Sequence, residues 1–265
     1  MPHGLFYQQH GPEQQAEHDN SLNPLVLVHG LFGNSDNLSA IRRAFENERQ
    51  VISIDLPDHG KSLRSEQFSF DEYANKIVEL LHSLELSRCI LVGHSLGGKV
   101  SMLIAKKSPL LIERLIVMDI APVSYSPRHE DVFKGLSNVD LDTIASRTDA
   151  KNQLSAYVKD AGTQAFLLKA LYQDDAEKWQ WRFNLTLLMR DYALLSGWEF
   201  SNLFYEGPTL FIKGSDSDYI LSEHQAAILE HFPHAKAKIV QAGHWLHAQK
   251  PQVVNALITN FLRVE

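Results

Sequence analysis

Short apolar runs alternate with longer amphipathic stretches over the first half of the chain. Leu25-Val26-Leu27-Val28 stops abruptly at His29-Gly30. A continuous run of this length, rich in β-branched residues, predicts a strand buried on both faces, as in a parallel sheet. Residues 36–45 then read as a helix, and Val51-Ile52-Ser53-Ile54 as the next strand. Over residues 70–84 the spacing of Tyr73, Ile77, Leu80, Leu81 and Leu84 is helical, and Asp71 and Glu72 suit the first turn. A strand over 89–92, a helix over about 96–107 and a strand over 115–118 follow. Strands alternating with helices of this length predict right-handed βαβ units, hence an α/β class with a mostly parallel, doubly wound sheet.

The rhythm breaks after residue 122. Residues 123–205 carry no strong strand pattern, but helix-like stretches occur at 151–157, 163–171 and 179–190. After Pro208 the alternation returns, with strands at 209–213 and 237–240 and helices at 222–232 and 252–262. The expected organisation is therefore an α/β core of residues 1–122 and 206–265, with residues 123–205 inserted as a helical cap. An insertion at a strand's C-terminal end sits over the ligand crevice of such a sheet.

Composition narrows the function. Twenty-five basic against 32 acidic residues leave a formal net charge of −7. No basic block is present, which argues against nucleic acid as a partner. Cys89 is the single cysteine and excludes an intrachain disulfide; its apolar surroundings predict a buried thiol. The first twenty residues are polar with no apolar signal core, and no stretch approaches the roughly 18 apolar residues of a membrane span. The expectation is a cytoplasmic protein without a membrane partner.

Gly93-His94-Ser95-Leu96-Gly97 has the form G-x-S-x-G and falls between a predicted strand and a predicted helix. In that context the serine sits on a sharp turn that lifts its hydroxyl clear of the sheet. A serine hydroxyl needs a base, and His244 is the candidate among thirteen histidines. It follows the last predicted strand in Gly243-His244-Trp245, as the chain order serine, acid, histidine of such folds requires. His247 is expected to point elsewhere, and His94 away from the substrate side. Attack on a carbonyl also needs donors for the oxyanion. The amide of Leu96 is one; the other is expected from the loop His29-Gly30-Leu31-Phe32-Gly33, with Leu31 first and Phe32 second. His29 and the loop Asp55 to Ser62 read as structural bracing. The aromatic positions Trp179, Trp181 and Phe183 fit an acyl pocket or core packing equally well.

Two acids compete for the histidine. Asp119 ends the strand at 115–118, whereas Asp216 follows the strand at 209–213. Both loops lie at C-terminal strand ends, and the commoner placement in this fold favours Asp216.

Together, the segments His29 to Asn34, Asp55 to Ser62, Gly93 to Lys99, Met118 to Pro122 and Ala242 to Trp245 resemble the α/β-hydrolase superfamily, and within it the YbfF-type bacterial carboxylesterases. The resemblance implies hydrolysis of small-molecule esters, and in places acyl-CoA thioesters, with no metal or organic cofactor. It also implies Asp119 as the triad acid beside Ser95 and His244, with Ser217 in the hydrogen-bond network. Asp216 stands where relatives often carry an amide and leaves a second acid within reach. Carbon–carbon bond hydrolysis, cofactor-free peroxidase chemistry and a non-catalytic ligand-binding role on the same fold are the alternatives.

Overall fold

The apolar runs are buried because they lie side by side in the middle of one sheet. The computed structural model describes residues 2–12 and 22–263. Its strands, in chain order, are β1 (Tyr7–His10), β2 (Leu25–Val28), β3 (Val51–Ile54), β4 (Cys89–His94), β5 (Ile112–Met118), β6 (Leu171–Gln173), β7 (Trp179–Trp181), β8 (Thr209–Gly214) and β9 (Ala235–Val240). The main sheet has the order β1-β3-β2-β4-β5-β8-β9, parallel except for β1. The helices are α1 (Ser39–Phe45), α2 (Phe70–Ser83), α3 (Leu96–Lys107), α4 (Glu130–Ser137), α5 (Arg147–Leu154), α6 (Ala161–Leu168), α7 (Leu185–Arg190), α8 (Tyr192–Ser196), α9 (Gln225–His231), α10 (Leu246–Gln249) and α11 (Pro251–Arg263). Part of the polar N-terminal stretch read above, positions 1 and 13–21, lies outside the described residues.

Period-two alternation assigns each strand's side chains to two cores. Val26, Val28, Ile52, Ile54, Leu91 and Val117 face the α2–α3 side with Tyr73, Ile77 and Leu103. Leu25, Leu27, Val51, Ile90, Val92 and Ile116 face the opposite side with Ile41, Phe45, Val254 and Ile258 of α1 and α11. Because both faces are covered, the central strands are uniformly apolar rather than alternating.

Three readings change. β1 was not expected: its sequence Tyr-Gln-Gln-His is polar because it is an edge strand with half-buried side chains, held by its antiparallel ladder to β3. The helix expected over 163–171 ends at Leu168, and that over 179–190 begins only at Leu185. Between them β6 and β7 form an antiparallel hairpin. Its turn is set by Asp174, whose Oδ1 accepts from the amides of Ala176 (3.0 Å) and Lys178 (2.9 Å). The tryptophans that looked helical by spacing suit a strand by propensity.

The sheet order reverses between β3 and β4, both of which flank β2. A crevice opens at the C-terminal ends of the strands at such a switch point. Close approach there requires glycine: a Cβ on Gly97 would collide with the carbonyl oxygens of Val28 and His29. Backbone atoms cannot swing aside, so Gly97→Ala is expected to destabilise the chain by about 1–3 kcal/mol. A urea midpoint unchanged from that of the parent would show that this contact is not limiting.

Candidate active site

Ser95 occupies the turn between β4 and α3 with φ 53° and ψ −121°, a backbone region that a residue with a side chain rarely adopts. Strain of this kind persists only where surrounding structure enforces it. Here the amide of Ser95 donates to the Met118 carbonyl (3.0 Å), while its own carbonyl accepts from Gly98 (2.8 Å) and Lys99 (3.1 Å). Gly93 and Gly97 leave room for the turn, since a Cβ on Gly93 would strike the Gly97 carbonyl.

Asp119 follows β5, also at positive φ (51°), and is completely buried. One oxygen accepts from the Gly214 amide (2.9 Å); the other accepts from Ser217 Oγ and from His244 Nδ1 (2.8 Å). With Nδ1 donating, the neutral ring of His244 keeps Nε2 as its acceptor. Tyr219 stacks on this ring, 4.1 Å between centroids at 22°. Asp216 lies elsewhere: its carboxylate accepts from Ser215 Oγ (2.8 Å) at the exposed end of β8. Of the two acids open in the sequence, Asp119 is therefore the one that meets His244, and Ser217 joins it.

Several histidines brace this arrangement. His94 Nε2 donates to the His244 carbonyl (2.9 Å), tying the serine turn to the histidine loop. Its ring lies 4.7 Å from that of His244 and 4.4 Å from that of His247. His29 accepts from the Leu56 amide (3.0 Å) at Nε2, so its Nδ1 donates to the Gly30 carbonyl (2.7 Å). Asp55 accepts from the amides of Ser35 (2.6 Å) and Lys61 (2.8 Å), bracing the same side of the crevice.

Two open clefts, of about 510 and 420 Å³, meet at Ser95. Leu31 borders both, Leu96 the second and Phe32 the first. The amide of Leu96, at the start of α3, has no intrahelical acceptor and carries the positive end of the helix. The Phe32 ring packs on Phe133 (5.3 Å) and Phe183 (5.0 Å). Trp181 and Phe183 stack on each other at 5.5 Å inside the core and line neither cleft.

Sequence reasoning overlooked Lys99 and Arg128. Lys99 is almost fully buried, and its ammonium donates to the carbonyls of Ser196 (2.9 Å) and Gly197 (2.8 Å) at the end of α8. The Tyr125 ring lies 5.0 Å away. Burial pushes its amine down to about 7. The signal was a lysine in the first turn of a helix, four positions after the serine and ahead of the apolar run Met102 to Ala105. Arg128, in a loop, gave no such signal.

A model of the alpha/beta hydrolase family matches residues 25–257. The chain belongs to this family. It is 42% identical to an esterase/lipase-type protein of Haemophilus influenzae over 90% of this chain and 82% of that one. To the esterase YbfF of Escherichia coli K12 it is 34% identical, over 94% and 95% of the two chains. Identity to the sn-1-specific diacylglycerol lipase ABHD11 of Mus musculus is 36%, over 92% and 82%. A solved marine microorganism esterase superposes with a TM-score of 0.91 at 30% identity, over 97% of this chain and 98% of that one. The chain is accordingly an enzyme, a hydrolase of the esterase/lipase group. No helix among the described residues is long and apolar enough to cross a membrane.

Burial sets the charge of the histidines around the site. It pushes His29, His59 and His129 down to about 4 and His247 to about 3, and holds His94 well below its usual range. Each is neutral when folded, whereas in the unfolded chain each binds a proton near pH 6.5. Stability from the neutral rings is complete above pH 6.5 and is lost as pH falls from there towards 4. Unfolding at pH 5 is expected to take up on the order of four protons at these positions, so the urea midpoint falls between pH 7 and 5. A flat midpoint across that interval would mean the rings are already charged in the fold.

Proposed function

We propose that the chain is a serine carboxylesterase working through Ser95, His244 and Asp119. The observation that carries this reading is the fully buried Asp119 carboxylate bonded to His244 Nδ1 at 2.8 Å, beside a cleft that Ser95 and His244 line together. A carboxylate in that position holds the base in one tautomer and stabilises the imidazolium formed during the reaction.

Ser95 Oγ attacks the ester carbonyl as His244 Nε2 takes its proton. The amides of Leu96 and Leu31 stabilise the oxyanion. His244 then protonates the departing alcohol, and water repeats the sequence on the acyl-enzyme. A thioester follows the same steps with a thiol leaving. Asp216, whose carboxylate accepts from its neighbour Ser215, takes no part. Residues 123–205 act as a cap over a core of 1–122 and 206–265: Val132, Phe166 and Tyr192 from this insertion line the clefts with core residues.

Burst kinetics with p-nitrophenyl esters test the assignment. Ser95→Ala is expected to abolish the burst. Asp119→Asn lowers kcat by roughly 10³–10⁴-fold, because the amide favours the wrong histidine tautomer. Asp216→Asn stays within about threefold of the parent, as befits an exposed side chain. Retained turnover in Ser95→Ala sinks the nucleophile, and a crippled Asp216→Asn with an active Asp119→Asn sinks the choice of acid.

A further inference from the structure

The two clefts that meet at Ser95 differ in charge. No lysine, arginine or carboxylate lines the first, whose walls include Val132, Phe166, Leu167 and Trp245 beside His94, His129, His244 and His247. The second is lined by two basic side chains, Lys99 and Arg128, and by no carboxylate.

The two basic groups are held differently. Lys99 is almost fully buried, with two of its donors on backbone carbonyls, so it acts on the cleft mainly through its field. No acidic side chain pairs with it among the described residues. Arg128 is accessible. Its guanidinium lies 5.1 Å from the Tyr125 ring centroid and 4.9 Å from that of Tyr219, the ring stacked on His244. That places it one aromatic ring away from the proposed base. Its Nη1 donates to Asp218 at 2.6 Å, but the Asp218 side chain is 71% exposed. Such a pair contributes little and is readily exchanged. Nε and Nη2 bond nothing among the described residues, which leaves most of a planar fork that matches a carboxylate.

The chain's formal net charge of −7 opposes long-range attraction of anions, so a preference for them has to be local.

We propose that the second cleft receives an anionic arm of the substrate: an ester with one apolar arm in the first cleft and an oxyanion, of the carboxylate class, on Arg128 within the field of Lys99. The inference rests on the ester-hydrolase reading and deepens it. The anion belongs to either the acyl arm or the leaving arm, and the experiment separates the two.

Four esters suffice. Monophenyl glutarate and methyl phenyl glutarate compare charged with neutral acyl arms. The butyryl esters of 4-hydroxybenzoate and of methyl 4-hydroxybenzoate compare leaving arms. Each is assayed for kcat/KM on the parent, Arg128→Gln and Arg128→Lys, with circular dichroism to verify folding. In one of the two pairs, Arg128→Gln is expected to lower the charged-to-neutral ratio of kcat/KM by about tenfold, mostly through KM, the loss of a charge-assisted hydrogen bond. Arg128→Lys recovers part of that ratio. A ratio unchanged in both pairs overturns the proposal while leaving Ser95-dependent turnover of the neutral esters, and hence the esterase reading, intact. Calorimetric binding of the same four esters to Ser95→Ala decides the point independently of turnover. Equal affinity for charged and neutral members, with or without Arg128→Gln, overturns it; tighter binding of a charged member that Arg128→Gln abolishes upholds it.

Discussion

A carboxylate withdrawn completely from water must find its hydrogen bonds inside the protein, and Asp119 finds them in two separate loops. Gly214 and Ser217 come from the end of β8 and the loop after it, and His244 from the loop after β9. One buried charge therefore fixes the relative positions of three parallel strand ends. Leaving any of these donors unmade would cost more than an ordinary hydrogen bond, because the charge has no solvent to fall back on. The histidine is oriented as a consequence of satisfying the acid.

The opposite side of the crevice is held by close packing and by neutral imidazoles. Gly97 lets α3 approach the β2 loop to backbone contact, and His29 joins that loop to the start of the β3 loop. His94 reaches across from the serine turn to the carbonyl of His244. A lysine or arginine in these places would bring a charge into an interior that already holds Asp119. A neutral imidazole donates and accepts at low desolvation cost. Rigidity on both sides allows Ser95 to keep a backbone conformation that it would not hold alone.

Where the site is open, it is asymmetric. A largely apolar cleft with histidines and a cleft lined by Lys99 and Arg128 share Ser95 at their junction. Tyr219 links the chemistry to recognition, with one face on His244 and the Arg128 guanidinium beside its ring.

Much of this was legible in the chain. Buried parallel strands announce themselves as unbroken apolar runs, and α3 carries its own start signal in Gly93 to Gly97. Local chemistry also singled out Ser95 and His244, because a strand–turn–helix context and chain order are sequence properties. The β6–β7 hairpin and the β1 edge escaped, since short strands paired at an edge need little apolar patterning and tryptophan spacing mimics a helix. The choice between Asp119 and Asp216 was open to the residues alone. Both end parallel strands, and only the twist of the sheet and the path of the loop after β9 determine which carboxylate the imidazole meets. The same holds for Lys99 and Arg128, some thirty positions apart, which become two walls of one cleft when the chain returns over the sheet. Sequence by itself determined the fold class and singled out Ser95 and His244, because these depend on local pattern. Tertiary structure decided which carboxylate meets His244 and which basic side chains line the clefts, because these depend on distances between segments far apart in the chain.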